Sequence, residues 1–168
     1  LYLGAAAGIV GASVTLQAGG PETGGVVTNQ YGGALASAGD TNGDGYPELL
    51  VFGQGSAAGR VFVYNGTNTG IATTPSRVLT GGAGTSNFGR SVSSAGDVNG
   101  DGYADVIIGE NDSAYVFLGS AMGLVTADPV QLRGLLGEDY GHSVSSAGDV
   151  NADGYGDVVV GAPDGLGA

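Results

Sequence analysis

One pattern recurs three times along the chain and narrows what it can fold into. The run from Gly39 reads GDTNGDGYPE, the run from Gly96 reads GDVNGDGYAD, and the run from Gly148 reads GDVNADGYGD. Asp40, Asp97 and Asp149 are therefore equivalent, at spacings of 57 and 52 residues. Each acidic run follows an aromatic-Gly pair and a stretch of small residues: YGGALASAG from Tyr31, FGRSVSSAG from Phe88, YGHSVSSAG from Tyr140. Each is followed by an apolar burst, at Leu49–Phe52, Val106–Ile108 and Val158–Val160. Units repeated at this period bury their faces against one another instead of forming separate cores.

The stretches between the runs supply further strands. VFVYNG from Val61 is matched by YVFLGS from Tyr115, and Arg77–Leu79 by Val130–Leu132. The N-terminal LYLGAAAG is of the YVFLGS type, and Val14–Leu16 is of the Val130–Leu132 type. Short strands punctuated by glycine turns predict an all-β chain of β-propeller blades, twelve strands in three four-stranded antiparallel repeats. The repeats fall at about 11–70, 71–124 and 125–168, and a strand at about 1–10 is expected to complete the last by pairing with the C-terminal strand, within or between chains. Propellers have about four to eight blades. Three blades leave three expectations open: two chains closing a six-bladed ring, chains adding head to tail into a filament, or a segment of a longer propeller. The start at Leu1, not Met, points to a processed or excised segment.

Composition removes several classes of function. The 168 residues carry a net charge of −12, and the four cationic side chains are Arg60, Arg77, Arg90 and Arg133. Binding nucleic acid requires basic groups to replace counterions on phosphate, and an anionic membrane surface poses the same requirement. No apolar run reaches the ~18 residues of a membrane span. Glycine is abundant at 36 residues, yet no G-X-Y period is present, which excludes a collagen-like chain. Without cysteine there is no disulfide or thiol chemistry.

The acidic runs have the donor spacing of a calcium loop. Calcium takes about 6–8 oxygens, and loops that hold it place ligands at positions 1, 3, 5, 7 (a backbone carbonyl) and 9. Counting from the first Asp, these are Asp40, Asn42, Asp44, Tyr46 and Glu48 in the first loop, Asp97, Asn99, Asp101, Tyr103 and Asp105 in the second, and Asp149, Asn151, Asp153, Tyr155 and Asp157 in the third. The glycine at position 6 permits the sharp turn. Position 12 is Val51, Ile108 or Val160 where an EF-hand needs glutamate, and the flanks read as strands, so position 9 must supply the closing carboxylate. Magnesium demands a stricter octahedron, and zinc prefers His or Cys. Asp, Asn and Gly also favour simple turns, but three copies with one spacing favour about three calcium ions per chain. Nine of the 16 carboxylates lie in these loops, and three divalent ions would bring the formal charge from −12 to −6.

Phe88-Gly89, the DVNGDGYAD loop and Gly161-Ala162-Pro163 after VVV resemble the FG-GAP repeats of integrin alpha-subunit propellers and their bacterial relatives, over essentially the whole chain. The resemblance implies a propeller, usually seven-bladed, with calcium in the loop between the first two strands of some blades. Tyr31 and Tyr140 replace the Phe of the motif, and Gly53-Gln54-Gly55 and Gly109-Glu110-Asn111 replace Gly-Ala-Pro.

The combined reading is an extracellular or cell-surface calcium-binding module for adhesion, recognition or assembly, not an enzyme, with calcium structural. Its partner is a protein or glycan ligand or a second copy sharing a strand. Two alternatives stand beside it: a propeller lectin with glycans between blades near Tyr31, Tyr64, Tyr115 and Tyr140, and a subunit of a self-assembling filament. His142 shares its slot with Arg90 and Gly33, which reads as a tolerant strand position instead of a catalytic one. Glu22 and Glu138-Asp139 read as water-facing loop acids. Asn65-Gly66-Thr67 and Asn111-Asp112-Ser113 match the glycosylation triplet but fall at turns.

Overall fold

The computed structural model describes residues 2–5, 8–16, 27–55, 59–81 and 87–165. Among them are fifteen strands and no helix. In chain order these are β1 (Tyr2–Ala5), β2 (Gly8–Ser13), β3 (Val27–Asn29), β4 (Leu35–Gly39), β5 (Glu48–Gly55), β6 (Gly59–Tyr64), β7 (Gly66–Thr67), β8 (Gly70–Ile71), β9 (Arg77–Thr80), β10 (Ser91–Gly96), β11 (Asp105–Glu110), β12 (Ser113–Phe117), β13 (Val130–Arg133), β14 (Ser143–Gly148) and β15 (Asp157–Gly161).

The strands assemble as successive antiparallel blades. The first runs β4-β5-β6-β9, with β3 also pairing to the far end of β5, and the second runs β10-β11-β12-β13. The third is the hairpin β14-β15. The opening hairpin is the same in all three. Its ladder slips at Ser37/Gly39, Ser94/Gly96 and Ser146/Gly148, so that each bulge glycine faces position 9 of the loop: Gly39↔Glu48, Gly96↔Asp105 and Gly148↔Asp157. The bulge re-aims the chain into the loop, as a residue with positive φ inserted into one strand does.

In the first two blades the apolar burst becomes a second strand covered on both faces, whereas β15 of the third blade is half-buried and leaves Val159 exposed. All six residues of β11 are buried. Val106 and Ile108 face the first blade, in a core with Ala38, Leu50, Val61, Val63, Leu79, Phe88, Phe117 and Leu124. Ile107, one step out of phase, faces the third blade with Ala95, Ala114 and Val116. A strand between two such layers reads as an unbroken apolar run, although its side chains alternate between cores. Phe88 is fully buried and meets Tyr115 and Phe117 edge-on at centroid distances of 5.7 and 6.2 Å. The small-residue strands β4, β10 and β14 pack successively on one another.

The N-terminal region differs from expectation. Val14–Leu16 is irregular, and β1 takes its partner from the next segment, pairing Leu3↔Val10 and Gly4↔Ile9. A hairpin this local costs little closure entropy, and it uses up the residues that precede Val14. Among the described residues β15 pairs with β14. Leu1 and Glu22 lie outside the described residues.

Candidate metal loops and their surroundings

Each acidic loop forms the tip of a first hairpin and is shaped by its own side-chain oxygens. In the second loop Asp97 Oδ1 accepts the N–H groups of Gly100 and Asp101 at 2.7 and 3.1 Å, and its Oδ2 accepts that of Gly102 at 2.8 Å. Asn99 Oδ1 accepts from Asp101 N at 3.1 Å, and Asp101 Oδ1 from Tyr103 N at 3.0 Å. The first loop repeats this with Asp40, Asn42 and Asp44, and in the third Asp149, Asn151 and Asp153 repeat the bonds to the N–H groups of positions 5, 6 and 7. Gly45, Gly102 and Gly154 at position 6 have φ of 88, 88 and 92°, where a side chain would be strained. The four backbone N–H groups around Asp40 outweigh a slight burial and hold its carboxyl below the usual range.

Position 9 lies deeper. Asp105 is fully buried; its Oδ2 accepts from Val98 N at 2.8 Å and its Oδ1 from Gly119 N at 2.7 Å. Asp157 Oδ2 accepts from Val150 N at 2.9 Å. The longer Glu48 reaches Thr41, whose N–H and hydroxyl both donate to Oε2 at 2.7 Å, while Oε1 takes the Asn42 amide at 3.3 Å. Burial is the main force raising the carboxyl of Asp105. The Gly119 and Val98 N–H groups oppose it, and the charges of Asp101 and Asp97 add to it. Glu48 is raised in the same way, by burial and then by Asp44 and Asp40, against the Thr41 bonds. Among the described residues no Arg or His is paired with either carboxylate. Two buried acids thus stand beside further acids without a compensating positive charge, an arrangement that costs free energy unless a cation shares the site.

The donor set is all oxygen (three carboxylates, an amide oxygen and a carbonyl), which fits a hard cation such as calcium. The side chains of each loop are brought to one turn but not drawn into a shell: no three His, Cys, Asp or Glu groups among the described residues converge as metal ligands.

Contacts invisible in the sequence surround the loops. The Tyr103 ring covers Gly43 of the first loop and the Tyr155 ring covers Gly100 of the second; a Cβ on either glycine would lie 2.8 Å from the ring. Beside the first loop a cleft of about 460 Å³ is lined by Asn42, Asp44, Asn65, Arg77, Met122 and Leu124, and the Arg77 guanidinium donates to the Met122 carbonyl. The tyrosines considered as sugar platforms are packing groups. Tyr64 is fully buried and hydrogen-bonded to Tyr31, Tyr115 lies in the core between the first two blades, and Tyr140 packs against the second blade's core.

Elsewhere, Asp139 is more than a water-facing acid. It pairs with Arg90 and accepts from His142 Nδ1 at 2.7 Å, and these two partners hold its carboxyl below the usual range. The slot that reads as tolerant therefore places Arg90 and His142 on one carboxylate between neighbouring blades. Glu138 Oε2 accepts from Leu135 N at 3.1 Å. Asn111 of the second glycosylation triplet accepts from Asn87 and Arg90. Glu110 is buried at 2 % exposure with its Oε1 unpartnered, and burial raises its carboxyl against a hydrogen bond from Tyr115.

Consecutive antiparallel sheets packed face to face, with an acidic loop at the same corner of each, define a β-propeller repeat protein. The family model described as FG-GAP-like repeat matches residues 40–108 and 97–160, and the chain belongs to that family. It is similar to integrin alpha-4 of Xenopus laevis, 33% identical over 156 residues, covering 84% of this chain and 15% of that protein. It is also similar to integrin alpha-7 of Rattus norvegicus, 41% identical over 91 residues, 53% of this chain and 8% of that one, and to integrin alpha-PS5 of Drosophila melanogaster, 30% identical over 155 residues, 80% and 15%. The chain thus spans a small part of the length of these relatives. Among the described residues no helix is long and apolar enough to cross a membrane.

Proposed function

We propose that the chain is a calcium-binding propeller module of an extracellular or cell-surface adhesion, recognition or assembly protein, and that its calcium is structural. The observation that carries this reading is the buried position-9 carboxylate, Asp105 or Glu48, held beside two further acids and, among the described residues, in no ion pair with Arg or His. Asp97, Asn99, Asp101, Asp105 and the Tyr103 carbonyl hold the ion in the second loop, and the equivalent residues do so in the first and third. Calcium supplies the positive charge that these acids lack and ties the two strands of each opening hairpin. The integrin alpha similarity supports an adhesive role, because the repeat is what the chains share. Pairing of the N-terminal strand with β15, within or between chains, completes the third blade in this reading, and the repeats divide near 11–70, 71–124 and 125–168.

Tyr46, Tyr103 and Tyr155 sit at position 7 of their loops, so terbium bound there would emit by energy transfer when tyrosine is excited. Emission that calcium reverses at lower concentration than magnesium is the expected result; no sensitised emission would exclude the sites.

A second reading is favoured by the cleft beside the first loop, whose Asn42, Asp44, Asn65 and Arg77 offer both donors and acceptors next to the apolar Met122 and Leu124. That mixture suits a polyhydroxylated ligand such as a glycan. Binding on a glycan array that disappears with Arg77→Ala supports it; binding unaffected by that change rejects it.

A further inference from the structure

One peptide group joins each acidic loop to the next. The Ala104 N–H donates to the Asp40 carbonyl at 2.9 Å, and the Gly156 N–H donates to the Asp97 carbonyl at 2.6 Å. Ala104 and Gly156 occupy position 8 of the second and third loops. The other end of each of these peptides is the carbonyl of Tyr103 or Tyr155, the position-7 oxygen assigned above to the ion. The acceptor at the far side belongs to position 1 of the preceding loop, the residue whose carboxylate organises that loop's turn. The tyrosine ring beside each peptide closes over the preceding loop's Gly43 or Gly100, and the Ser120 N–H adds a bond of 3.1 Å to the Thr41 carbonyl.

We propose that calcium binding is cooperative between neighbouring loops, carried by the peptide between positions 7 and 8; this rests on the calcium reading above. A cation on the Tyr103 carbonyl withdraws charge through the amide and makes the Ala104 N–H a stronger donor. The bond to the Asp40 carbonyl tightens, and the first loop is held in its binding conformation. Hydrogen bonds in series polarise one another in this way, and the coupling is reciprocal by linkage, so an ion in the first loop favours one in the second. The link from the third loop to the second uses the same peptide, with the Gly156 N–H on the Asp97 carbonyl. The first loop carries Pro47 at position 8, which has no N–H to donate. The same internal hydrogen bonds form there, so the loop accepts proline at this position.

That proline supplies a cut that the loop tolerates. In the full chain, hydrogen exchange of residues 40–48 is followed as calcium rises, in the wild type, Asp101→Ala, Ala104→Pro and the double variant. Disabling the second loop with Asp101→Ala should raise the calcium concentration that half-protects the first loop by about two- to tenfold, the range of one net hydrogen bond. In the Ala104→Pro background the same change should have no effect, which separates coupling through the peptide from through-space charge. Equal midpoints with and without Asp101→Ala would overturn the proposal while leaving calcium binding intact. If residues 40–48 show no calcium-dependent protection in the wild type, the calcium reading itself fails. Should Ala104→Pro not fold, Asp153→Ala decides. Acting two loops away, it should shift the first loop less than Asp101→Ala does, and an equal shift would overturn the link.

Discussion

Replacing Asp105 by Asn tests how much of the fold's stability passes through one loop. Asp105 is fully buried and accepts a backbone N–H on each oxygen. An amide offers one acceptor, so either Val98 N or Gly119 N is left facing an NH₂ group. An unpaired buried donor costs about 1–3 kcal/mol. In chelator this loss is offset in part, because the substitution also removes a charge that Asp97 and Asp101 repel. In calcium there is no such offset, since a ligand carboxylate is gone. At a calcium concentration a hundredfold above the dissociation constant, each occupied loop adds about 2.7 kcal/mol to the folded state. Counted one by one, three loops give about three times that, and Asp105→Asn should remove at least about one share, to which weaker binding in the coupled first loop adds. For a chain of this size 1 kcal/mol moves Tm by about 2–4 °C, so the calcium-induced rise in Tm should shrink by at least about 5–11 °C in the variant. Thermal unfolding followed by circular dichroism, with and without chelator, measures the difference. An unchanged calcium increment would refute the role of Asp105 in holding the ion.

Three further outcomes follow from the packing and the buried acids. Phe88→Ala empties a fully buried site between the first two blades and should cost about 3–5 kcal/mol in urea unfolding. Gly100→Ala forces a side chain to φ of 73° and into the Tyr155 ring, so it should lower stability by at least about 1–2 kcal/mol, whereas Ala152→Gly, at φ of 58° in the equivalent place, should raise it. Burial raises Glu110, so between the unfolded and folded pKa the native state binds more protons than the unfolded chain. Its contribution is therefore complete below the usual glutamate range and is lost as pH rises through the folded pKa. Glu110→Gln should flatten that part of the profile, read as urea midpoints between pH 4 and 8.

Much of this architecture is legible in the residues, for a physical reason. A strand covered on both faces is apolar at successive steps, so LLVF and VII announce the second strand of the first two blades, VVV is its equivalent in the third although Val159 is exposed there, and the small residues before each acidic run mark the strands that lie close to their neighbours. The internal order of the loops is equally local: Asp, Asn and Asp at alternate positions cap N–H groups within a few residues. What escaped depends on contacts distant in the chain. Val14–Leu16 matches a strand in composition, but Gly8–Ser13 reaches β1 first. The short pairs β3, β7 and β8 carry no periodic signal. Arg90 and His142 looked unrelated in one alignment column because their common partner, Asp139, lies 49 residues beyond Arg90. The peptide links between loops are backbone bonds that leave no trace in residue identity, except at Pro47, where the donor is missing.

Isothermal calorimetry of the intact chain, freed of metal by chelation and titrated with calcium to millimolar concentration, addresses the loops most directly. About three equivalents of calcium per chain are predicted, reduced by about one in each of Asp44→Ala, Asp101→Ala and Asp153→Ala. A wild-type titration with no binding heat, together with unfolding that is the same in calcium and in chelator, would contradict the assignment of these loops as metal sites.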